Sequence, residues 1–197
     1  MDAGRTLIEE HIQESIAVKQ RMAREQAGLI GQISQSLLQV LRSNGTIYFC
    51  GNGGSAADAQ HVAAEFVGRF LRERRPLPAV ALTTNTSILT AIGNDYDFKQ
   101  VFSRQIRAQA ISKDAVVGIS TSGRSGNVLE ALQAAREVGA LTVGFTGTPG
   151  QPLAGAAELC LCVPSAKTPH IQEAHIVAWH IICDLIERSY SEIADAA

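Results

Sequence analysis

Thr46-Ile47-Tyr48-Phe49-Cys50-Gly51-Asn52-Gly53-Gly54-Ser55-Ala56 is the stretch on which the fold turns. Its first five residues are an apolar run of strand length, rich in β-forming types. Three glycines and an asparagine then break the run. From Ser55 to about Arg72 the composition is helical. A buried strand that ends in glycines and feeds a helix is the first half of a parallel β–α–β unit.

Working outward, the pattern repeats. Pro78 to Thr83 reads as a second strand, and Ser87 to about Ala110 as broken helix. Ala115–Ile119, Leu141–Phe145 and Leu159–Val163 read as three more strands. Asn127–Val138 is a helix closed by Gly139. Thr168-Pro169 is an N-cap followed by proline at the first helical position, opening a last helix to about Tyr190. Upstream, Leu29, Ile30, Ile33, Leu37, Val40 and Leu41 recur at helical spacing, so Arg5–Leu41 holds two helices divided near Gly28. Ser43-Asn44-Gly45 is a turn. The expected fold is a three-layer α/β sandwich: a five-stranded parallel sheet flanked by helices, plus N-terminal helices. No linker or repeat divides the chain, so one domain is expected over 1–197, with helices in 1–44 and the sheet with its flanking helices in 45–197.

Composition narrows the class. The 197 residues are 46% hydrophobic and 18% charged, with a formal net charge of −2, which is globular and offers no basic face for nucleic acid. The charged start lacks a signal-peptide core, and no stretch reaches the ~18 apolar residues of a membrane span. A cytoplasmic location is expected. The four cysteines, Cys50, Cys160, Cys162 and Cys183, match no zinc-knuckle or CxxC spacing and read as reduced thiols. Cys160 and Cys162 point to one face of a strand, where packing is weighed against a second metal site.

In open α/β sheets, ligands sit beyond the carboxyl ends of the strands. The first candidate is Gly51-Asn52-Gly53-Gly54-Ser55-Ala56. Its glycines admit a ligand close to the backbone, and the helix after it offers free N–H groups and a positive dipole end. The run fits GxGxxA, a dinucleotide fingerprint, but the next strand ends in Thr83-Thr84-Asn85 and supplies no acidic ribose ligand. A sugar-phosphate loop is the better reading. The second is Ser120-Thr121-Ser122-Gly123-Arg124-Ser125-Gly126. A capping loop explains any one of its hydroxyls, whereas their density at a strand end points to phosphate.

His61 and Glu65 are spaced i, i+4 and share a helix face two turns from the glycine loop, as a general base or metal ligands, or as a solvated pair. The last helix carries His170, Gln172, Glu173, His175 and His180 beside an apolar stripe that includes Ile171, Trp179 and Ile186. Gln172 and His180 are separated by about 12 Å of rise and about 80° of rotation. Spacing leaves open whether Gln172 points off the first turn or the two serve different sites.

The run Cys50 to His61 with Glu65-Phe66, together with Leu89-Thr90-Ala91-Ile92-Gly93-Asn94-Asp95, Ile119-Ser120-Thr121-Ser122-Gly123, Gly144-Phe145-Thr146-Gly147, and Ile171-Gln172-Glu173 with His175 and His180, resembles the phosphoheptose isomerase family of the sugar-isomerase (SIS) domain superfamily. The resemblance covers nearly the whole chain. It implies conversion of sedoheptulose 7-phosphate to D-glycero-D-manno-heptose 7-phosphate through an enediol, at the head of nucleotide-heptose synthesis for lipopolysaccharide or other glycans. It implies Glu65 as general base and His180 as general acid. Ser120, Thr121, Ser122 and Ser125 would bind phosphate. Asn52, Gly53, Gly54, Ser55, Asn94, Asp95 and Gln172 would line the sugar. Zn²⁺, one per subunit, would be held by His61, Glu65, Gln172 and His180. The implied assembly is a homotetramer with active sites at subunit interfaces, packed through the N-terminal helices, and with neither nucleic acid nor membrane as partner. Thr168-Pro169-His170 departs from relatives that carry an acidic residue in that region. A zinc that took both Glu65 and His180 as ligands would leave neither free as acid or base. A related non-catalytic branch binds the bacterial replication initiator, and a sugar-phosphate sensor is a further alternative. Retention of both Glu65 and His180 argues for the enzyme.

Overall fold

The structure, a computed structural model, describes residues 2–194. The chain ends, Met1 and 195–197, which the single-domain reading included, lie outside the described residues. In chain order the elements are α1 (Asp2–Glu25), α2 (Ala27–Arg42), β1 (Ile47–Gly51), α3 (Gly54–Val67), β2 (Ala79–Ala81), α4 (Thr86–Asp95), a 3₁₀ turn (Phe98–Gln100), α5 (Ser103–Gln109), β3 (Ala115–Ile119), α6 (Gly126–Glu137), β4 (Leu141–Gly147), α7 (Leu153–Ala156), β5 (Leu159–Val163) and α8 (Thr168–Ala194).

All strand pairs are parallel, in the order β2-β1-β3-β4-β5. The central strands β1 and β3 are buried along their whole length. Two apolar layers follow from that. One packs Ile33, Leu37, Val62, Phe66, Trp179 and Ile182 from α2, α3 and α8 against Phe49, Val117 and Phe145. The other packs Ile106, Val128, Leu132 and Leu153 against Tyr48 and Val116 on the opposite face. Trp179 fixes α8 on the sheet: its ring stacks on Phe145 at 4.4 Å and meets Phe49 edge-on at 5.3 Å.

The strand order reverses between β1 and β3, the position at which doubly wound sheets open a crevice. Gly51 pairs with Ile119, so the two strands finish level. The glycine loop and the hydroxyl loop therefore start side by side, one feeding α3 and the other α6, on opposite faces of the sheet.

Element boundaries differ from the sequence expectation in places with a physical cause. The first break falls at Gln26 rather than Gly28. The third helix stops at Val67, well before Arg72, where the backbone N–H groups of Phe70, Leu71 and Arg72 go to the Glu187 carboxylate in place of helical carbonyls. The second strand is confined to Ala79–Ala81, an edge with a single neighbour. The broken helix of 87–110 resolves into α4, the 3₁₀ turn and α5, with Asn85 and Asp97 capping the first two from their side chains.

Candidate active site

The glycine loop is built for close approach. Gly53 has φ +56, a left-handed conformation open to glycine at no steric cost. A side chain on Gly54 would strike the Gln172 amide, so α8 lies directly on the first turn of α3. Asn52 and the buried Asn127, the second residue of α6, exchange two amide hydrogen bonds of 2.8 Å each. This reciprocal pair ties the glycine loop to the hydroxyl loop across the switch point. Sequence reading did not single out Asn127, because an asparagine near a helix start reads as an ordinary cap.

In the hydroxyl loop, Ser120 is buried and its Oγ lies 2.9 Å from Ser125 Oγ, while Ser122 Oγ accepts from the Arg124 N–H at 3.3 Å. Ser125 occupies the N-cap position of α6, yet its hydroxyl is spent on Ser120 and caps no helical N–H. The first-turn N–H groups of α6 therefore face the crevice end without a side-chain acceptor, which is the chemistry of an anion site. The aliphatic stem of Lys99 packs over Gly126 and brings a cation to the same helix end. Lys99 was also missed, since a lysine on a short turn gives no periodic signal.

Glu65 and His61 stand on one face of α3, with Oε1 3.5 Å from His61 Nε2. His61 Nε2 lies 3.1 Å from His180 Nε2 of α8, and the Phe70 ring stacks on His180 at 5.3 Å. His61 thus touches two of the other residues proposed as metal ligands, Glu65 on its own helix and His180 on α8. Gln172 sits against Gly54, two turns nearer the start of α3. Gln172 and His180 both pack on α3, about two turns apart, Gln172 at Gly54 and His180 at His61. Half-buried Asp58, one turn before His61, has its carboxyl pushed up to about 6 by burial, with His61 pulling the other way. Asn94 and Asp95 are exposed at the end of α4, hydrogen-bonded to each other at 2.7 Å, and α4 contributes no buried residue.

The end of α3 is held by buried charge. Glu187 of α8 accepts from the backbone N–H groups of Phe70 at 2.7 Å and of Leu71 and Arg72 at 2.8 Å. Its carboxylate pairs with Arg74 Nε at 3.3 Å. Arg74 in turn donates to the carbonyls of Phe66 and Gly68 at 2.8 Å and of Glu65 at 2.6 Å. A cation on the orphan carbonyls of a helix C-terminus is electrostatically favourable, and here it fixes the turn that carries Glu65. The same clamp places Phe70 on His180.

Among the described residues, no group of three or more His, Cys, Asp or Glu side chains converges as a bound metal ion requires. The donor types of the Glu65 cluster nevertheless suit zinc. The 3.1 Å between the two imidazole nitrogens is near the separation of roughly 3.3 Å that two such ligands keep on a tetrahedral ion.

A parallel sheet whose switch point joins a glycine loop to a hydroxyl loop, with no acidic ribose ligand, defines a sugar-phosphate domain rather than a dinucleotide one. The SIS domain family model matches residues 10–147. The chain belongs to the phosphoheptose isomerase family: it is 53% identical to the phosphoheptose isomerase of Roseiflexus sp. over 93% of both chains. Solved structures agree. The phosphoheptose isomerase of Neisseria gonorrhoeae aligns with TM-score 0.88 at 45% identity, over 93% of this chain and 98% of that one. That of Francisella tularensis aligns with TM-score 0.91 at 34% identity, over 94% and 98%.

Proposed function

We propose that the protein is an aldose–ketose isomerase that converts sedoheptulose 7-phosphate to D-glycero-D-manno-heptose 7-phosphate. The observation that carries this reading is the meeting of Glu65, His61 and His180 beside the switch point, together with an uncapped helix end ringed by hydroxyls. The names of the relatives support the substrate.

Isomerisation moves a proton between adjacent carbons through an enediol, which needs one base over the carbon pair and one acid at the oxygens. The Glu65 carboxylate takes the proton from the carbon next to the carbonyl and returns it to its neighbour. His180, steadied by Phe70, delivers a proton to the ketose carbonyl oxygen and takes back the proton that the neighbouring hydroxyl loses as the aldehyde forms. Ser120, Thr121, Ser122 and Ser125 and the first N–H groups of α6 grip the phosphate. Because that grip is remote from the reacting carbons, its binding energy holds the open-chain sugar in register. Asn52, Gly53, Gly54, Ser55 and Gln172 line the sugar from this chain. Zn²⁺, one per subunit, would be held by His61, Glu65, Gln172 and His180 and when bound would polarise the carbonyl oxygen, whereas Glu65 and His180 serve as base and acid only in the state in which they are not its ligands.

The proposal extends to assembly. Residues 1–197 form one SIS unit, and the helices of 1–44 serve oligomer packing: Leu7, Ile8, Ile12 and Ile16 of α1 are exposed apolar residues along one segment. A homotetramer with active sites at subunit interfaces would also give Asn94 and Asp95, exposed in one chain, a sugar to line. The enzyme would work in the cytoplasm in nucleotide-heptose synthesis toward lipopolysaccharide. No described helix is long and apolar enough to cross a membrane. The initiator-binding alternative is not favoured, since members of that branch can lose the catalytic pair and this chain retains both Glu65 and His180.

The test is incubation of purified protein with sedoheptulose 7-phosphate, following aldose formation with and without chelator and added Zn²⁺. Turnover is expected, and loss on chelation with recovery on Zn²⁺ is expected for the metal role. Absence of turnover in every metal condition, from folded protein, overturns the enzyme reading.

A further inference from the structure

Cys160 and Cys162 take no part in the chemistry above, and their surroundings set them apart from the other thiols. Cys50 and Cys183 are buried, and burial pushes both thiols up to about 12. Cys160 and Cys162 are half-exposed on β5, the edge strand of the sheet. Two residues apart on a strand, they share a face. Their sulfurs lie 4.0 Å apart, within reach of a thiol–thiolate hydrogen bond. That bond holds the first ionisation of the pair, at Cys162, down to about 7, and pushes the second up.

The pair also touches the phosphate loop through one intermediary. Cys160 Sγ fills the space over Gly144, its neighbour on β4, where a side chain would come within 2.7 Å of the sulfur. Cys162 Sγ lies only 3.0 Å from the position a side chain on Gly150 would take. The Gly150 carbonyl is pressed against Gly123 of the hydroxyl loop, 2.5 Å from where a Cβ would stand. Leu153 N–H donates to the Gly123 carbonyl at 3.1 Å, and Gly147 N–H to the Thr121 carbonyl at 3.0 Å. The segment 147–153 is thus a backing plate, with the two thiols behind it and the hydroxyl loop in front.

We propose that Cys160 and Cys162 are a modification site, a dithiol that hydroperoxides oxidise to a disulfide, and that its closure loosens the hydroxyl loop through 147–153. The loop's role as a phosphate site rests on the function proposed above; the dithiol chemistry does not. The Cys162 thiolate attacks one peroxide oxygen and the O–O bond breaks. Cys162 becomes a sulfenic acid, and the departing oxygen takes up a proton as alcohol or water. The Cys160 sulfur then attacks the sulfenic sulfur, the S–O bond breaks, and hydroxide leaves with the Cys160 proton as water. Two thiols lose two electrons, and the hydroperoxide gains them. Two residues apart on a strand, the Cα atoms stand about 6.6 Å apart, at the upper end of the range a disulfide spans. Closure therefore pinches β5 at Leu161, and an edge strand with one neighbour can yield.

The experiment treats the reduced full chain with hydrogen peroxide and reads intact mass, alkylation of the 160–162 peptide and amide hydrogen exchange. Loss of two hydrogens confined to that peptide is expected, reversed by dithiothreitol. Exchange in 120–126 and 147–153 should quicken about tenfold, the scale of a local opening made easier by one hydrogen bond or so. Cys160→Ser should stop at a dimedone-trappable sulfenic acid on Cys162, and Cys162→Ser should not respond. Failure to form the disulfide, or a disulfide that leaves exchange in both segments unchanged, overturns the proposal. Neither readout requires isomerase activity, so its failure is distinguishable from failure of the proposed function.

Discussion

His61 and His180 come from helices 119 residues apart in sequence, and their Nε2 atoms face each other at 3.1 Å. Glu65 joins them from the next turn of α3. The pairing depends on α8 lying along α3, which the seating of Trp179 between Phe49 and Phe145 imposes.

Glu65→Gln keeps the shape and hydrogen-bonding reach of the side chain and removes its ability to take a proton. Turnover of sedoheptulose 7-phosphate should fall by about 10²–10⁴-fold, the usual worth of a positioned base. Calorimetric affinity for the sugar phosphate should stay within a few-fold of the parent. Equal losses in affinity and turnover would show that Glu65 binds rather than reacts.

Lys99→Met retains the aliphatic stem over Gly126 and deletes the charge. KM should rise about tenfold, which corresponds to roughly 1.4 kcal/mol of lost attraction, and the effect should shrink in high salt. kcat at saturation should be unchanged, since the phosphate is remote from the reacting carbons. A change in kcat with KM intact would contradict a role at the phosphate.

Glu187 and Arg74 are almost wholly buried, with side-chain exposures of 1% and 5%. Glu187→Ala strands the Arg74 cation and three backbone N–H groups. Denaturant unfolding should show a loss of about 3–5 kcal/mol, the cost of breaking a buried pair from one side. Glu187→Gln, which still accepts from the backbone, should lose less. Residual activity of that milder variant should drop as well, because the clamp orients both the Glu65 turn and Phe70.

His175 is buried against Phe145, with Nε2 3.2 Å from the Thr146 carbonyl. Burial lowers its pKa from 6.5 to about 4. The native state then binds fewer protons than the unfolded chain between those values. The stability it contributes is complete above about 6.5, declines as pH falls toward 4 and amounts at most to about 3 kcal/mol. Asp58, pushed up to about 6, titrates in the opposite sense over part of the window. Subtracting the pH profile of His175→Gln from that of the parent isolates the histidine. Superimposable profiles between pH 4 and 7 would refute its neutral burial.

The sequence by itself determined the layers and the loops. Alternating apolar strands and amphipathic helices leave few arrangements for a parallel sheet. The residues after Cys50 and Ile119 are too rich in glycine and hydroxyls to be plain turns. The i, i+4 spacing of His61 and Glu65 guaranteed a shared face, because helix geometry is local. Tertiary structure alone decided what that face meets. Strand order set the glycine and hydroxyl loops side by side and brought Asn52 to Asn127. The seating of α8 chose His180 over His175 as the partner of His61, although both lie on one helix near apolar neighbours. Lys99, Asn127, Glu187 and its partner Arg74 gave no signal in sequence because the Lys99–Gly126, Asn127–Asn52 and Glu187–Arg74 contacts each join groups far apart in the chain. Periodicity reports which side of a helix is buried; only the packed fold fixes which distant atom waits there.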